Sequence, residues 1–223
     1  MTTLDRIGFA LGHPVRAAMV SELLSGRFVP SGELAKIAHS APSTASEHLA
    51  ILADAGLVRV FTAGRHRYYT LASDEVACSL EALGTLARAA APRTLSASDR
   101  LARVRRARVC WDHIAGELGT RLRTALIDRG YLLARGDDTV VTGRDTGLLE
   151  ELGVGGVLAG SVSGGCVDRT ERRLHLRGPF AKALFAGMCE RGWLVRAHGR
   201  ELRITPAGVG ELNDRLGIAQ VPA

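Results

Sequence analysis

Apolar residues in the first seventy positions follow a helical spacing and then an alternating one. The helical spacing predicts four helices, over 4–11, 14–24, 31–38 and 43–55. Two runs of alternating polarity, 57–62 and 67–71, then predict a β-hairpin with a basic tip. Two helices joined by a tight turn and followed by such a hairpin predict a winged helix-turn-helix, a fold that reads DNA.

The last predicted helix and the hairpin carry polar side chains suited to nucleic acid. A recognition helix presents the short polar side chains of its first turns to base edges and phosphates. Hairpin arginines then reach neighbouring phosphates or the minor groove. We therefore expect DNA contacts from Ser43, Thr44, Ser46, Glu47 and His48 of the helix and from Arg65, His66 and Arg67 of the hairpin. For the serines and the threonine, helix capping is the alternative interpretation.

Residues 7–71 resemble the ArsR/SmtB family of bacterial repressors. The resemblance is carried by the stretches LGHPVR (11–16), STASEHL (43–49), AGLV (55–58) and GRHRYY (64–69). It implies a homodimer held by the first helix and by the helix after the hairpin, 74–90. It also implies binding to an inverted repeat in double-stranded DNA, with release when a small-molecule inducer or a metal binds. The family's DNA contacts fall on Thr44, Ser46, His48, Arg65 and Arg67.

The sensor sites common in that family do not occur in this sequence. Many members place a Cys-x-Cys pair on the helix before the recognition helix, but here that helix, GELAKIA (32–38), has no cysteine. Others bind zinc or nickel through Asp and His on the last dimer helix, and here DEVACSLE (74–81) has no histidine. Cys78 in this stretch is interpreted as a buried small apolar residue. Any sensing function must then lie elsewhere.

The second half of the chain contains an internal repeat. A small, proline-broken and polar stretch, 89–98, indicates a linker. It predicts a DNA-binding and dimerisation domain over 1–95 and a sensor or accessory domain over 96–223. In the latter, 113–132 align without gaps on 175–194, which predicts two helix–hairpin–helix repeats over about 100–153 and 160–217. The predicted fold class is therefore mainly α with small β-hairpins (α+β).

Each repeat begins with Cys-x-Asp and holds an aligned histidine. If the repeats pack about an approximate twofold axis, Cys110, His113, Cys166 and His175 converge and could hold one zinc-like divalent metal ion per chain. The aspartate of each Cys-x-Asp would then support the ligands. The first pair, three residues apart, would share a face if its segment is helical. Thiol redox sensing, a purely structural role and a pocket for an organic ligand are the alternatives.

The distribution of charged and apolar residues bears on which partners the protein contacts and where it is located. The net charge of +6 is concentrated in 96–110, which carries five arginines and one aspartate. This segment is either a solvated linker or helix face, or a patch that faces phosphates. Because we find neither an apolar run of membrane-spanning length nor a secretion signal, we expect a cytoplasmic protein without membrane contact.

A transcription regulator fits these features better than an enzyme. The glycine-rich stretch 153–160 follows a predicted helix instead of a strand, so it is a weak match to a dinucleotide-binding loop. We expect a homodimeric repressor whose effector is sensed by the second domain, because that domain is larger than DNA binding requires. A constitutive DNA-binding or architectural protein without an effector, and an enzyme fused to a DNA reader, are the alternatives.

Overall fold

The computed structural model of the chain describes residues 3–64, 66–86, 95–144, 147–154 and 161–219. The chain forms two compact units, an N-terminal unit (Met1–Ala77) and a C-terminal unit (Cys78–Ala223). This division lies earlier than the boundary at 95 that the linker predicts. Residues 87–94 of that region lie outside the described part, and a helix starts at Leu95. Within the described residues, none of the helices is both long and apolar enough to cross a membrane.

The N-terminal unit is a winged helix-turn-helix, which confirms the prediction. Its three strands form one antiparallel sheet in the order β1-β3-β2. The unit comprises α1 (Thr3–Leu11), α2 (Pro14–Leu23), β1 (Val29–Pro30), α3 (Ser31–Ile37), α4 (Pro42–Asp54), β2 (Val58–Ala63) and β3 (His66–Leu71). Helix α5 (Asp74–Leu86) follows, and it runs without a break across the residue at which the two units divide.

Local chemistry explains where α4, the predicted recognition helix, begins and ends. Proline at its first turn has no N–H to leave unsatisfied, and Pro42 therefore starts the helix. Gly56 follows the last turn with a φ of 75°, a value that favours glycine. One face of α4 is buried through Ala45, Leu49 and Leu52. The opposite face is left toward solvent.

The C-terminal unit has the same order of elements in both halves: a hairpin, a helix, a second hairpin and a second helix. After α6 (Leu95–Arg106), the first half comprises β4 (Arg108–Cys110), β5 (His113–Ala115), α7 (Gly116–Asp128), β6 (Leu132–Arg135), β7 (Asp138–Val141) and α8 (Leu148–Glu151). The second half comprises β8 (Val162–Val167), β9 (Leu174–Arg177), α9 (Pro179–Glu190), β10 (Leu194–Arg196), β11 (Leu202–Ile204) and α10 (Pro206–Leu216).

The hairpin that opens each half corrects one expectation. Cys110 and His113 do not share a helix face. They face each other across the β4–β5 hairpin, which turns through Trp111 and Asp112. Trp111 has a φ of 63°, a conformation that bulky residues rarely adopt. Such a turn is not signalled by its residue types, so the sequence pattern missed these strands.

Cross-packing of the two halves brings their first hairpins together. Helix α7 packs against β9, α9 packs against β5, and β5 and β9 contact each other. Equivalent core positions hold this arrangement in both copies: Leu118 and Phe180, Leu122 and Leu184, and Leu126 and Met188 are all buried. The histidines of β5 and β9 therefore come close to one another.

Carboxylates of the C-terminal unit pair with much of the basic segment 96–110. Arg103 contacts Glu201 at 3.1 Å, and Arg105 contacts Glu171 at 2.9 Å. Arg108 is fully buried. These contacts favour a structural role for the segment over a patch that faces phosphates.

Candidate functional site

The solvent-facing side of α4 carries most of the predicted base-reading residues. Ser43, Thr44, Ser46 and Glu47 are all exposed. The Ser46 hydroxyl donates to the carbonyl of Pro42 at 2.9 Å, within the helix. This side of the helix therefore presents short polar groups to solvent, as a major-groove reader requires.

His48 is held differently from the other predicted contacts. Its ring is half-buried and packs against His13, with 4.4 Å between ring centroids. Arg16, itself buried, donates to His48 Nδ1 at 3.1 Å and to the carbonyl of Ala10 at 2.6 Å. Burial and then the charges of His13 and Arg16 lower the pKa of His48. His48 therefore joins α4 to α2, a role that the sequence pattern did not reveal.

The wing presents basic side chains beside a surface groove. Ala63 pairs with His66, so the hairpin turns within two residues. His66 and Arg67 are exposed near the tip, while Arg65 lies outside the described residues. Lys36 of α3 lines the same groove of about 610 Å³ as His66 and Arg67. Lys36 and Arg67 therefore place positive charge on two sides of this groove, and Glu33 of α3 adds one negative charge to its lining.

The second predicted cluster lies inside the C-terminal unit. Cys110 pairs with His113 across β4–β5, and Cys166 pairs with His175 across β8–β9. All four residues are buried, and their ligand atoms lie within 4.8 Å of one another. The thiols are free. The structure therefore brings together all four residues that the repeat singled out.

The two imidazoles face each other through their Nε2 atoms, which are 3.2 Å apart. On its other side, His113 Nδ1 lies 3.2 Å from Asp112 Oδ1. His175 Nδ1 lies 3.9 Å from Asp168 Oδ2, and among the described residues it has no hydrogen-bond partner. A carboxylate therefore stands behind each ring while the inner nitrogens converge.

The surroundings shift the pKa values of the two imidazoles in opposite directions. Burial lowers the pKa of His113, but hydrogen bonds with Asp112 and Cys166 outweigh it and raise the pKa to about 9. Burial and the neighbouring His113 charge lower the pKa of His175 to about 3. Hydrogen bonding with Cys110, together with burial, raises the pKa of the Cys166 thiol. The surroundings therefore favour a positive charge on His113 over one on His175.

Glycines let the helix N-terminus approach this cluster. Gly116 has a φ of 80°, and its N–H donates to Asp168 Oδ2 at 2.6 Å. A Cβ at Gly119 would lie 2.4 Å from the carbonyl oxygen of Ile114 and 3.4 Å from the Cβ of His175. Larger residues at these positions would push α7 away from the histidines.

A buried ion network extends from the cluster to α5. Arg108 donates to Asp168 Oδ2 at 2.9 Å and to Glu81 Oε2 at 3.1 Å. Arg200 donates to the other oxygen of Glu81 and, at 2.9 Å, to the carbonyl of Val109. Burial would raise the pKa of Asp168, but Arg108 and two backbone N–H groups hold it well below its usual range. Sequence reasoning missed this network.

Cys78 also reaches the cluster from α5, one turn before Glu81. It is half-buried and packs against Cys110, Ala115 and Cys166. Its interpretation as a fully buried apolar residue therefore needs correction, because it stands beside two other thiols. The spacing of Cys78 and Glu81 on one helix face was the signal that could have been used.

Four donors of this kind define what the cluster can do chemically. Two thiols and two imidazoles are suited to a tetrahedral metal ion, and two adjacent thiols are also able to form a disulfide. Both reactions would change the contacts of β4, β5, β8 and β9.

Comparison with known proteins finds a matching domain model and a relative that is similar over nearly the whole chain. Residues 11–60 match a helix-turn-helix domain model. The chain is 34% identical over 210 residues to YdfF of Bacillus subtilis (strain 168), an uncharacterized HTH-type transcriptional regulator, and the match covers 92% of this chain and 93% of YdfF.

Solved structures match a smaller part. HlyU from Vibrio cholerae N16961 is 28% identical, with 38% of this chain and 90% of HlyU covered and a TM-score of 0.34. The homodimeric winged helix-turn-helix domain of Mb0332 from Mycobacterium bovis is 26% identical, with 38% and 77% covered and a TM-score of 0.35. On its motifs, its helix-turn-helix match and its similarity to YdfF over nearly its whole length, the chain belongs to the ArsR-type family of winged helix-turn-helix transcriptional regulators.

Proposed function

We propose that the protein is a homodimeric repressor that binds an inverted-repeat operator and is released by an effector bound in the C-terminal unit. Helix α4 would read the bases, and the wing would contact phosphates. The exposed polar side of α4 and the exposed Arg67 of the wing, with Lys36 across the same groove, support this assignment.

The proposal that an effector controls DNA binding depends on α5, because this one helix both follows the wing and reaches the buried ion network. Strand β3 of the wing ends at Leu71, and α5 begins three residues later at Asp74. The same helix then supplies Glu81 to the buried ion network of the C-terminal unit. Since a helix is a stiff element, a change in the position of Glu81 is expected to reach the residues that follow the wing.

Exposed apolar side chains support the dimer. Leu4 and Phe9 of α1 are 78% and 59% exposed, and Leu86 of α5 is 82% exposed. Exposed apolar groups of this size on each of the two helices support association through these helices. The family resemblance assigns dimerisation to these same two helices.

The salt dependence of DNA affinity distinguishes phosphate contacts of the wing from contacts with bases. Arg67→Ala should weaken binding to all DNA sequences by a similar factor and reduce the slope of log K against log salt by about one. Operator affinity is measured by fluorescence anisotropy at several salt concentrations, on duplexes enriched from a randomised pool. Arg103→Ala, which removes a basic residue already paired with Glu201, is the control and should leave the slope unchanged. An unchanged slope for Arg67→Ala would contradict this role.

Repression and release are tested with the enriched operator placed over a reporter promoter. The proposal expects an inverted repeat in the selected DNA, two protomers per site and lower reporter output when the protein is present. Selected sequences without twofold symmetry, or output that rises with the protein, would contradict it. Operator binding that no effector alters would favour the constitutive, architectural alternative.

A further inference from the structure

We propose that Cys110, His113, Cys166 and His175 bind one divalent metal ion of the zinc type per chain. The inference deepens the proposed function, because it names the effector, and in that respect it rests on that function. Binding of the ion itself is independent of any effect on DNA. Two observations carry it: the spacing of the four donor atoms, and the carboxylates behind both imidazoles.

The donor spacing suits four-coordinate binding. Zinc–nitrogen bonds of about 2.0–2.1 Å at a tetrahedral angle separate two nitrogens by about 3.4 Å. The observed separation of His113 Nε2 and His175 Nε2 is 3.2 Å. Sulfurs bonded at about 2.3 Å lie about 3.8 Å apart in the same geometry, and all four donor atoms lie within 4.8 Å of one another. Small side-chain movements therefore suffice to enclose an ion.

The carboxylates complete the pattern of a metal-binding histidine, which donates its outer N–H to an acceptor. Asp112 and Asp168 each stand two residues after the cysteine of their copy. Each lies on the outer side of its histidine, at 3.2 Å and 3.9 Å. His175 Nδ1 has no hydrogen-bond partner among the described residues, and Asp168 Oδ2 at 3.9 Å is a nearby carboxylate oxygen that this nitrogen could reach by a small movement when an ion binds Nε2.

Charge balance favours a divalent ion here. A doubly charged ion neutralises two thiolates, so the buried cluster gains no net charge from binding. The two buried carboxylates of the neighbouring ion network are already paired, Asp168 with Arg108 at 2.9 Å and Glu81 with both Arg108 and Arg200. Neither the ion nor its ligands would then leave an unpaired charge in the interior.

The donor atoms also select the class of metal. Thiolate and imidazole ligands favour zinc and similar borderline ions, whereas magnesium and calcium are bound through oxygen. Four protein ligands leave no open position for a substrate. The geometry therefore points to a closed site that changes protein structure, and not to a catalytic centre.

Cobalt(II) is the probe for the test, because it occupies tetrahedral sites and reports its ligands by absorption. The reduced full-length protein is titrated with Co²⁺ and then with Zn²⁺. We expect one equivalent of cobalt, intense visible bands of tetrahedral geometry, a sulfur-to-cobalt charge-transfer band, and displacement by zinc. In the zinc-loaded protein, Cys110 and Cys166 should resist alkylation, while Cys189 should react.

Variants locate the ligands. Cys110→Ser should lower cobalt affinity at least 100-fold and weaken the charge-transfer band. Asp112→Asn keeps all four ligands and should lower affinity ten- to 100-fold with the band retained. Cys189→Ser removes a thiol that packs against the hydrophobic core outside the cluster, and it should bind as the wild type does.

The experiment distinguishes failure of the metal site from failure of its role as the effector site. No cobalt binding by the folded wild type, or only the weak absorption of six-coordinate cobalt, would overturn the metal site. Unchanged affinity in Cys110→Ser would do the same. Tight one-to-one binding that leaves operator affinity unchanged would uphold the metal site and reject its role as the effector.

Discussion

Replacing Glu81 with alanine is expected to lower the free energy of unfolding by about 3–5 kcal/mol, because it breaks a buried ion pair from one side. Glu81 is fully buried and accepts hydrogen bonds from both Arg108 and Arg200. Its removal leaves two guanidinium groups facing one carboxylate, Asp168, in the interior. Urea-induced unfolding followed by circular dichroism measures the change.

Glu171→Ala is the matched control in the same unit. Its partner Arg105 is 61% exposed, so the loss of that pair should cost about 0–1 kcal/mol. Glu81→Gln keeps the shape and removes only the charge, so a smaller loss is expected than for alanine. Equal costs for Glu81→Ala and Glu171→Ala would show that the buried network does not hold α5.

Removing polar side chains from the recognition helix α4 and from the wing is expected to abolish operator binding in practice. Lost base or phosphate contacts cost about 1–3 kcal/mol each. Thr44→Ala, Ser46→Ala and Arg67→Ala together should therefore cost about 3 kcal/mol or more, which is at least about a 100-fold loss of affinity. The measurement is anisotropy with the selected operator, and the unfolding curve shows that the variant stays folded. Operator affinity within about a factor of three of the wild type would contradict the assignment.

His48→Ala needs its own comparison. Since His48 packs on His13 and accepts from Arg16, its loss should reduce stability as well as operator affinity. The triple variant should change affinity alone, because its three side chains are exposed. The two sets of data together separate a direct contact from the positioning of α4.

Local patterns were sufficient for the winged helix. Helical spacing predicts the helices, and Gly56 predicts the end of α4, from residues that are close together in the sequence; the structure starts α4 one residue earlier than predicted, at Pro42. The Cys and His cluster was also accessible, because the repeat placed Cys110, His113, Cys166 and His175 at matching positions. Their close approach depends on α7 and α9 each packing against the other copy's strand. The internal repeat was therefore the informative signal.

The long-range ionic contacts could not be predicted from the sequence. Arg108 lies in an arginine-rich run that indicates a solvated or phosphate-facing segment, yet it is buried between Glu81 and Asp168. Its partners are 27 and 60 residues away, and no spacing rule links them. The three-residue strands of the β4–β5 hairpin were also too short to show alternation. Their turn uses a tryptophan where glycine or asparagine would have signalled it.

In the proposed mechanism, a metal ion held by the Cys and His cluster controls DNA binding. The most direct test is the operator affinity of the reduced full-length protein, by anisotropy, with and without one equivalent of Zn²⁺. Zinc should raise the Kd at least tenfold in the wild type and in Cys189→Ser, but not in Cys166→Ser. An unchanged Kd in the wild type, with one zinc ion bound per chain, would show that the metal ion does not control DNA binding.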